Sequence, residues 1–344
     1  MRLASGTCVA SKLVSLGLLV VLAAGCNGQT QARGAARKPV ATSASLSEPA
    51  PTRSPASPGG VTQADFEAAV AGVDPKAVDR LLAKLPHFSD DEGHAYIIFE
   101  GDLPYTEQGV RAAIENERAK RQARRATNAR PELKLELGNP GERLFWARSE
   151  RHLTYAVDRA SFASAPSGAF DSVVQNIEAA ATQWEGLCAG CGLTIRHRAD
   201  LDGKIDRSKV TFVVRYSAAA TDEIALAFFP GAPADQRTLW VYTRYPTTHF
   251  DRTGVFRHEL GHVLGYAHEH LDTLSSCAKT SDSWTPITRY DAKSVMHYVC
   301  GDEGSLQLAF TDCDKKGHLR VYNLPAGAPP PISLPPLDCQ GTPL

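Results

Sequence analysis

The apolar positions fall into a few stretches with clear periods. In "FDSVVQNIEAAATQWEGL", Phe170, Val173, Val174, Ile177, Ala181 and Trp184 recur at threes and fours, which predicts an amphipathic helix. In "KVTFVVRY", Val210, Phe212, Val214 and Tyr216 alternate with smaller or polar residues, which predicts a half-buried strand. "HLTYAV", "GLTIRHR", "IALAFF" before Pro230, and "TLWVYT" read as further strands. Residues 143–324 therefore predict an α+β domain with a mixed sheet.

Upstream, residues 61–142 carry helical patterns and one strand-like run, "HAYIIFEGD". The charged "RAAIENERAKRQARRATNAR" predicts a solvated helix face or a linker, with a protease-sensitive joint as the functional alternative. Residues 27–60 hold almost no large apolar side chains and much Ala, Ser, Pro and Gly, so they read as a flexible tether. Residues 325–344 form a Pro-rich tail, with Cys339 placed to pin it.

The first 26 residues have a basic start followed by "LVSLGLLVVLAAG", an apolar run short for a membrane span. It ends in small residues directly before Cys26. That ending resembles the lipobox of bacterial lipoproteins, which implies cleavage before Cys26, lipid on its thiol and an exported, membrane-anchored protein. By analogy with that family, the Asn27 that follows implies the outer membrane. An ordinary secretory signal is the plainer reading.

Composition adds three constraints. The 344 residues are 43% hydrophobic, enough for a sizeable core, and the net charge of −1 gives no reason to expect nucleic-acid binding. Beyond Cys8 and Cys26 six cysteines remain: Cys188, Cys191, Cys277, Cys300, Cys313 and Cys339. An even number in an oxidising compartment suggests disulfides of undetermined pairing. Cys188 and Cys191 form a C-x-x-C, read as a local disulfide in preference to a redox pair or half a zinc site.

The chemistry concentrates in "HELGHVLGYAHEH". Four of the chain's 11 histidines lie there with two glutamates. His258 and His262 are one helical turn apart, so both rings reach one metal ion, with Glu259 beside it. Gly265 is suited to end the helix in a left-handed conformation and turn His268 in as a third ligand. Three histidines with an open fourth position are the donor set of a catalytic zinc.

"HELGHVLGYAH" resembles the extended zinc-binding motif of the metzincin peptidases. The resemblance implies a twisted mixed sheet, an active-site helix and a C-terminal subdomain built on a methionine-containing turn. Met296 in "SVMHY" fits that turn, and only one other methionine exists, Met1. "HEH" after the motif glycine and "YDAKSVMHY" are similar to the astacin-type branch, where the tyrosine at the position of Tyr298 contacts zinc and stabilises the transition state; a packed turn tyrosine is the alternative. The "LDTLSSCAKT" directly after the histidines departs from astacins, and "HELGH" is closer to matrixins. Phe99, Gly101 and Asp102 resemble the astacin pro-segment motif whose Asp blocks zinc in the latent enzyme, against the plainer reading of a Gly-Asp turn.

These resemblances imply one zinc ion, Glu259 as general base, extended protein or peptide substrates, and "EIALAFF" as the substrate-pairing edge strand. His270 reads as a surface or supporting histidine. Glu269 matches a family position that meets a mature N-terminus. A zinc-stabilised binding lipoprotein without catalysis is the rival, but it has no need of Glu259. A redox module built on Cys188 and Cys191 is the third reading.

Overall fold

The computed structural model of the chain describes residues 61–89, 93, 95–98, 104–124, 134–136, 145–219, 223–270, 284–297, 299, 303–324 and 334–344. The N-terminal part is a small module with its own core. Helix α1 (Gln63–Ala71) starts at a capping box: Thr62 Oγ1 accepts Asp65 N–H at 3.3 Å and Asp65 accepts Thr62 N–H at 2.9 Å. Then come α2 (Ala77–Lys84), β1 (His87–Ser89), β2 (Ala95–Ile98), β3 (Pro104–Tyr105) and α3 (Glu107–Arg124). The strands form an antiparallel sheet in the order β1-β2-β3. Phe66, Val70, Leu81, Leu82, Ile97, Val110 and Ile114 fill the core between sheet and helices. Ala95–Ile98 of the strand-like run form β2, and the charged Arg-rich stretch is helical as far as Arg124. β1 and β3 are too short for period two to be legible.

The larger part is built on β5 (His152–Val157), α4 (Ala169–Gly186), β6 (Thr194–His197), β7 (Phe212–Ser217), β8 (Ala225–Leu226) and β9 (Thr238–Tyr242). After it come α5 (Arg252–Val263), β10 (Trp284–Pro286) and α6 (Asp312–Tyr322). The five-stranded sheet has the order β6-β5-β7-β9-β8. β5, β6, β7 and β9 run parallel, and β8 pairs antiparallel to β9, with Ala225 opposite Val241. The fold is thus mixed α+β with a mixed sheet.

Alternation sorts each strand between two faces. Leu153, Tyr155, Val157, Phe212, Val214, Leu239 and Val241 face α4 and α5 in one continuous core. From α4, Val173, Ile177, Ala181 and Trp184 enter that core, while Phe170 and Val174 are only partly buried at its margin. The opposite face would expose Leu226, Trp240 and Tyr242. Ile98 and Phe88 of the N-terminal module cover them, with the Phe88 ring edge-on to Trp240 at 6.2 Å. A second connection joins the parts: β4 (Lys134–Glu136) pairs antiparallel with β10.

Two disulfides lie among the described residues, Cys188–Cys191 and Cys313–Cys339. The first closes a local turn. The second ties the tail to α6, and Leu337 N–H also donates to Ile287 O at 3.0 Å. Cys277 and Cys300 lie outside the described residues. No described helix is long and apolar enough to cross a membrane.

Candidate metal centre

Helix α5 is buried on all sides from Gly254 to Val263. A helix with no solvent face needs a polar side chain at each place where charge is admitted. Asp251 caps its start, accepting Gly254 N–H at 2.5 Å. Arg257 is the buried cation of the helix. Its guanidinium donates to Leu308 O at 2.7 Å, Gln307 O at 2.5 Å, Gln183 Oε1 at 2.8 Å and Asp251 Oδ1 at 3.1 Å. Burial lowers its pKa, with Asp251 opposing. Aromatic donors fix the helix in place. Trp184 Nε1–H bonds Arg257 O at 2.9 Å, Trp146 Nε1–H bonds Val263 O at 2.8 Å, and Tyr322 O–H bonds Leu264 O at 2.7 Å.

The end of α5 brings the histidines together. Gly265 has φ 101°. Its N–H donates to His262 O at 2.8 Å and Tyr266 N–H donates to Gly261 O at 2.9 Å, the two bonds of a Schellman cap. The reversal returns Tyr266 O to His262, whose Nδ1–H donates to it at 2.7 Å. His258 Nδ1–H donates to Val295 O at 2.7 Å. A carbonyl only accepts, so both rings carry their proton on Nδ1 and aim an Nε2 lone pair inward.

The three Nε2 atoms form a nearly equilateral triangle. His258 to His262 is 3.2 Å, His258 to His268 is 3.2 Å, and His262 to His268 is 3.1 Å. Nitrogens about 2.0–2.1 Å from a tetrahedral zinc lie about 3.3 Å from one another. The donor set therefore fits a first-row cation. Lone pairs converging at this distance in a buried site repel unless a cation lies between them. His262 and His268 are fully buried and His258 and Glu259 nearly so. Glu259 lies in the turn between two of the histidines. Its charge adds to the rise in the Tyr242 phenol pKa, after burial and Glu223.

A turn over Ser294–His297 lies against this centre, closed by His297 N–H to Ser294 O at 3.0 Å. Met296 is fully buried beneath α5. A Cβ on Gly261 would meet its Sδ at 2.3 Å, which is why position 261 carries no side chain. Met296 O accepts Glu269 N–H at 2.9 Å, so the turn also holds the segment that bears His268.

Glu269 is buried and accepts Asp291 N–H at 2.7 Å. His270 is buried as well, which excludes the surface alternative and leaves the supporting one: its ring lies 5.3 Å from those of His268 and His297. His297 bonds Tyr290 Oη at 2.8 Å, and Tyr290 O–H also bonds Glu303. Tyr298, Asp102 and Cys26 lie outside the described residues. Asp291, Cys313 and Cys339 also cluster, but the two cysteines are disulfide-bonded and offer no thiolate.

Sequence reading overlooked three supports: the indoles of Trp146 and Trp184, the guanidinium of Arg257, and Asp314 behind the Met296 turn. The last had a legible start, because Thr311 and Asp314 are spaced as a capping box.

No known protein-family model matches the chain, and no curated protein matches it. Among solved structures it is similar to that titled "Structure of myroilysin", at 15% identity and a TM-score of 0.36, covering 53% of this chain and 96% of that one. The functional reading therefore stands on the geometry of the histidine centre.

Proposed function

We propose that the protein is a zinc-dependent endopeptidase of the metzincin kind, acting on extended segments of proteins or peptides outside the cytoplasm. One observation carries the reading: three buried imidazoles converge at tetrahedral spacing with Glu259 in the turn between two of them. Zinc held there supplies Lewis acidity to a water and to the scissile carbonyl. Glu259 takes the proton of the attacking water and passes it to the leaving amine. The carbonyls of Val295 and Tyr266 keep His258 and His262 in the tautomer that offers Nε2. Met296 is the floor of the centre, and its turn is the Met-turn of the resemblance. Tyr298 is assigned to the developing oxyanion. β8, at the edge of the sheet, is the strand that pairs with substrate.

Anchoring through lipid on Cys26 and the tether of residues 27–60 belong to the same proposal, as does Asp102 as a latency ligand. The similarity to astacins is carried by "HEH", by "YDAKSVMHY" and by Phe99, Gly101 and Asp102.

The test is zinc content and cleavage of an unstructured protein by the purified chain, beside Glu259→Ala. Cleavage is expected to fall by at least about 10²-fold in the variant, the scale of a lost general base, while zinc stays at one per chain. Cleavage that survives Glu259→Ala removes the assignment of the base. Zinc without cleavage in either form favours the binding lipoprotein, once the chain lacking residues 1–142 is equally inactive.

A further inference from the structure

We infer that Asp314 is a positioning residue of the metal centre, holding the ring of His258 through the backbone of Val295. The inference rests on the metal-binding reading above and adds to it a residue that touches neither metal nor substrate.

Asp314 is the third residue of α6 and is 3% exposed. One carboxylate oxygen accepts Ser294 Oγ–H at 2.6 Å. The other accepts Val295 N–H at 2.9 Å, Thr311 N–H at 2.9 Å and Thr311 Oγ1–H at 3.0 Å. Among the described residues no ion pair to it is formed. A capping box alone explains the Thr311 bonds, and such a box works at a helix surface. It does not explain why a carboxylate is buried at the cost that desolvation imposes.

The remaining two bonds supply the reason. Both go to the turn that carries Met296. Val295 is gripped at its N–H by Asp314, and its carbonyl accepts His258 Nδ1–H at 2.7 Å. Ser294 Oγ, while donating to Asp314, accepts Met296 N–H at 3.1 Å. Met296 O then receives Glu269 N–H beside His268. One buried carboxylate thus locks the turn from which two of the three ligand segments take their orientation. Such outer partners set ligand geometry and affinity.

The experiment compares Asp314→Asn, Ser294→Ala and Thr311→Ala in the full chain. It measures Zn2+ affinity by chelator competition, the visible spectrum of the Co2+ form, and the melting temperature of metal-free protein. Asn keeps the shape but cannot accept at both oxygens. Asp314→Asn is expected to weaken Zn2+ binding about 10–100-fold and to alter the Co2+ bands. Ser294→Ala moves both readouts in the same direction by less. Thr311→Ala, which removes only the cap, lowers the melting temperature and leaves affinity and spectrum unchanged.

If Asp314→Asn lowers only the melting temperature, with affinity and spectrum intact in the folded protein, Asp314 is a helix cap and the inference fails. If Asp314→Asn does not fold, an unchanged affinity and spectrum in Ser294→Ala overturns it equally. A wild-type chain that takes up neither ion removes the centre itself and this inference with it.

Discussion

At Gly261 the missing side chain does structural work. Met296 Sδ occupies the space a Cβ would need, and Trp184 Cζ2 would lie 3.5 Å from it on another side. Gly261→Ala is expected to cost about 1–3 kcal/mol of stability by overpacking, read by denaturant titration of metal-free protein. His318 makes a different residue-scale case. Its ring is buried against Tyr322, Trp184 and Tyr266, whose hydroxyl shares a 3.1 Å hydrogen bond with Nδ1. Burial, with a smaller push from Arg151, takes its pKa from the ordinary 6.5 down to about 3. Asp314, one turn earlier on α6, has its pKa raised, mainly by burial. Between those two His318 values the unfolded chain holds a proton that the native chain does not, so stability rises with pH. The contribution is complete above 6.5 and is lost as pH falls toward 3. It amounts to about 1 kcal/mol per pH unit. His318→Gln should flatten the fall in stability from pH 6.5 to 4; equal slopes in the two proteins would refute a buried neutral imidazole.

At the scale of elements, α5 is held by groups outside its own sequence. Arg257→Ala leaves Gln307 O, Leu308 O and Gln183 without their buried donor, and is expected to cost about 3 kcal/mol in a denaturation midpoint. A loss under about 0.5 kcal/mol would mean that water replaces the guanidinium at no cost. This dependence marks how far the sequence was legible. α4 was readable because its apolar period is long and regular, and the end of α5 because glycine is the residue that adopts the left-handed conformation at little cost. The spacing of His258 and His262 follows from helical geometry, and His268 needed the turn at Gly265 as well. β8 was readable as a strand, but only Ala225 and Leu226 pair, and Ala227 and Phe228 are buried outside the ladder. The links from Asp314 to Ser294 and from Trp146 to Val263 join segments far apart in sequence, and no local pattern encodes a partner at that distance.

For the whole molecule, the N-terminal module is both a cover and a stitch. It shields Leu226, Trp240 and Tyr242 on the outer face of the sheet, and β4 extends the chain's pairing at β10. A chain beginning at Arg143 should therefore bind more of an apolar fluorescent dye and melt at a lower temperature. No gain in dye binding would show that the three side chains find other cover. Comparing its cleavage rate with that of Asp102→Ala in the full chain separates steric cover from a blocking carboxylate. A rise in the truncated chain alone assigns latency to the module's bulk, and a rise in both assigns it to Asp102.

The dependence of His258 on Val295 and Asp314 also has a meaning in time. A chain is made amino end first. The helix with His258 and His262 emerges while the turn that orients one of those rings, and the carboxylate that locks the turn, are still to come. Until they arrive the histidines are loose side chains on an unfinished helix. A metal centre built this way is completed only once α6 has been made.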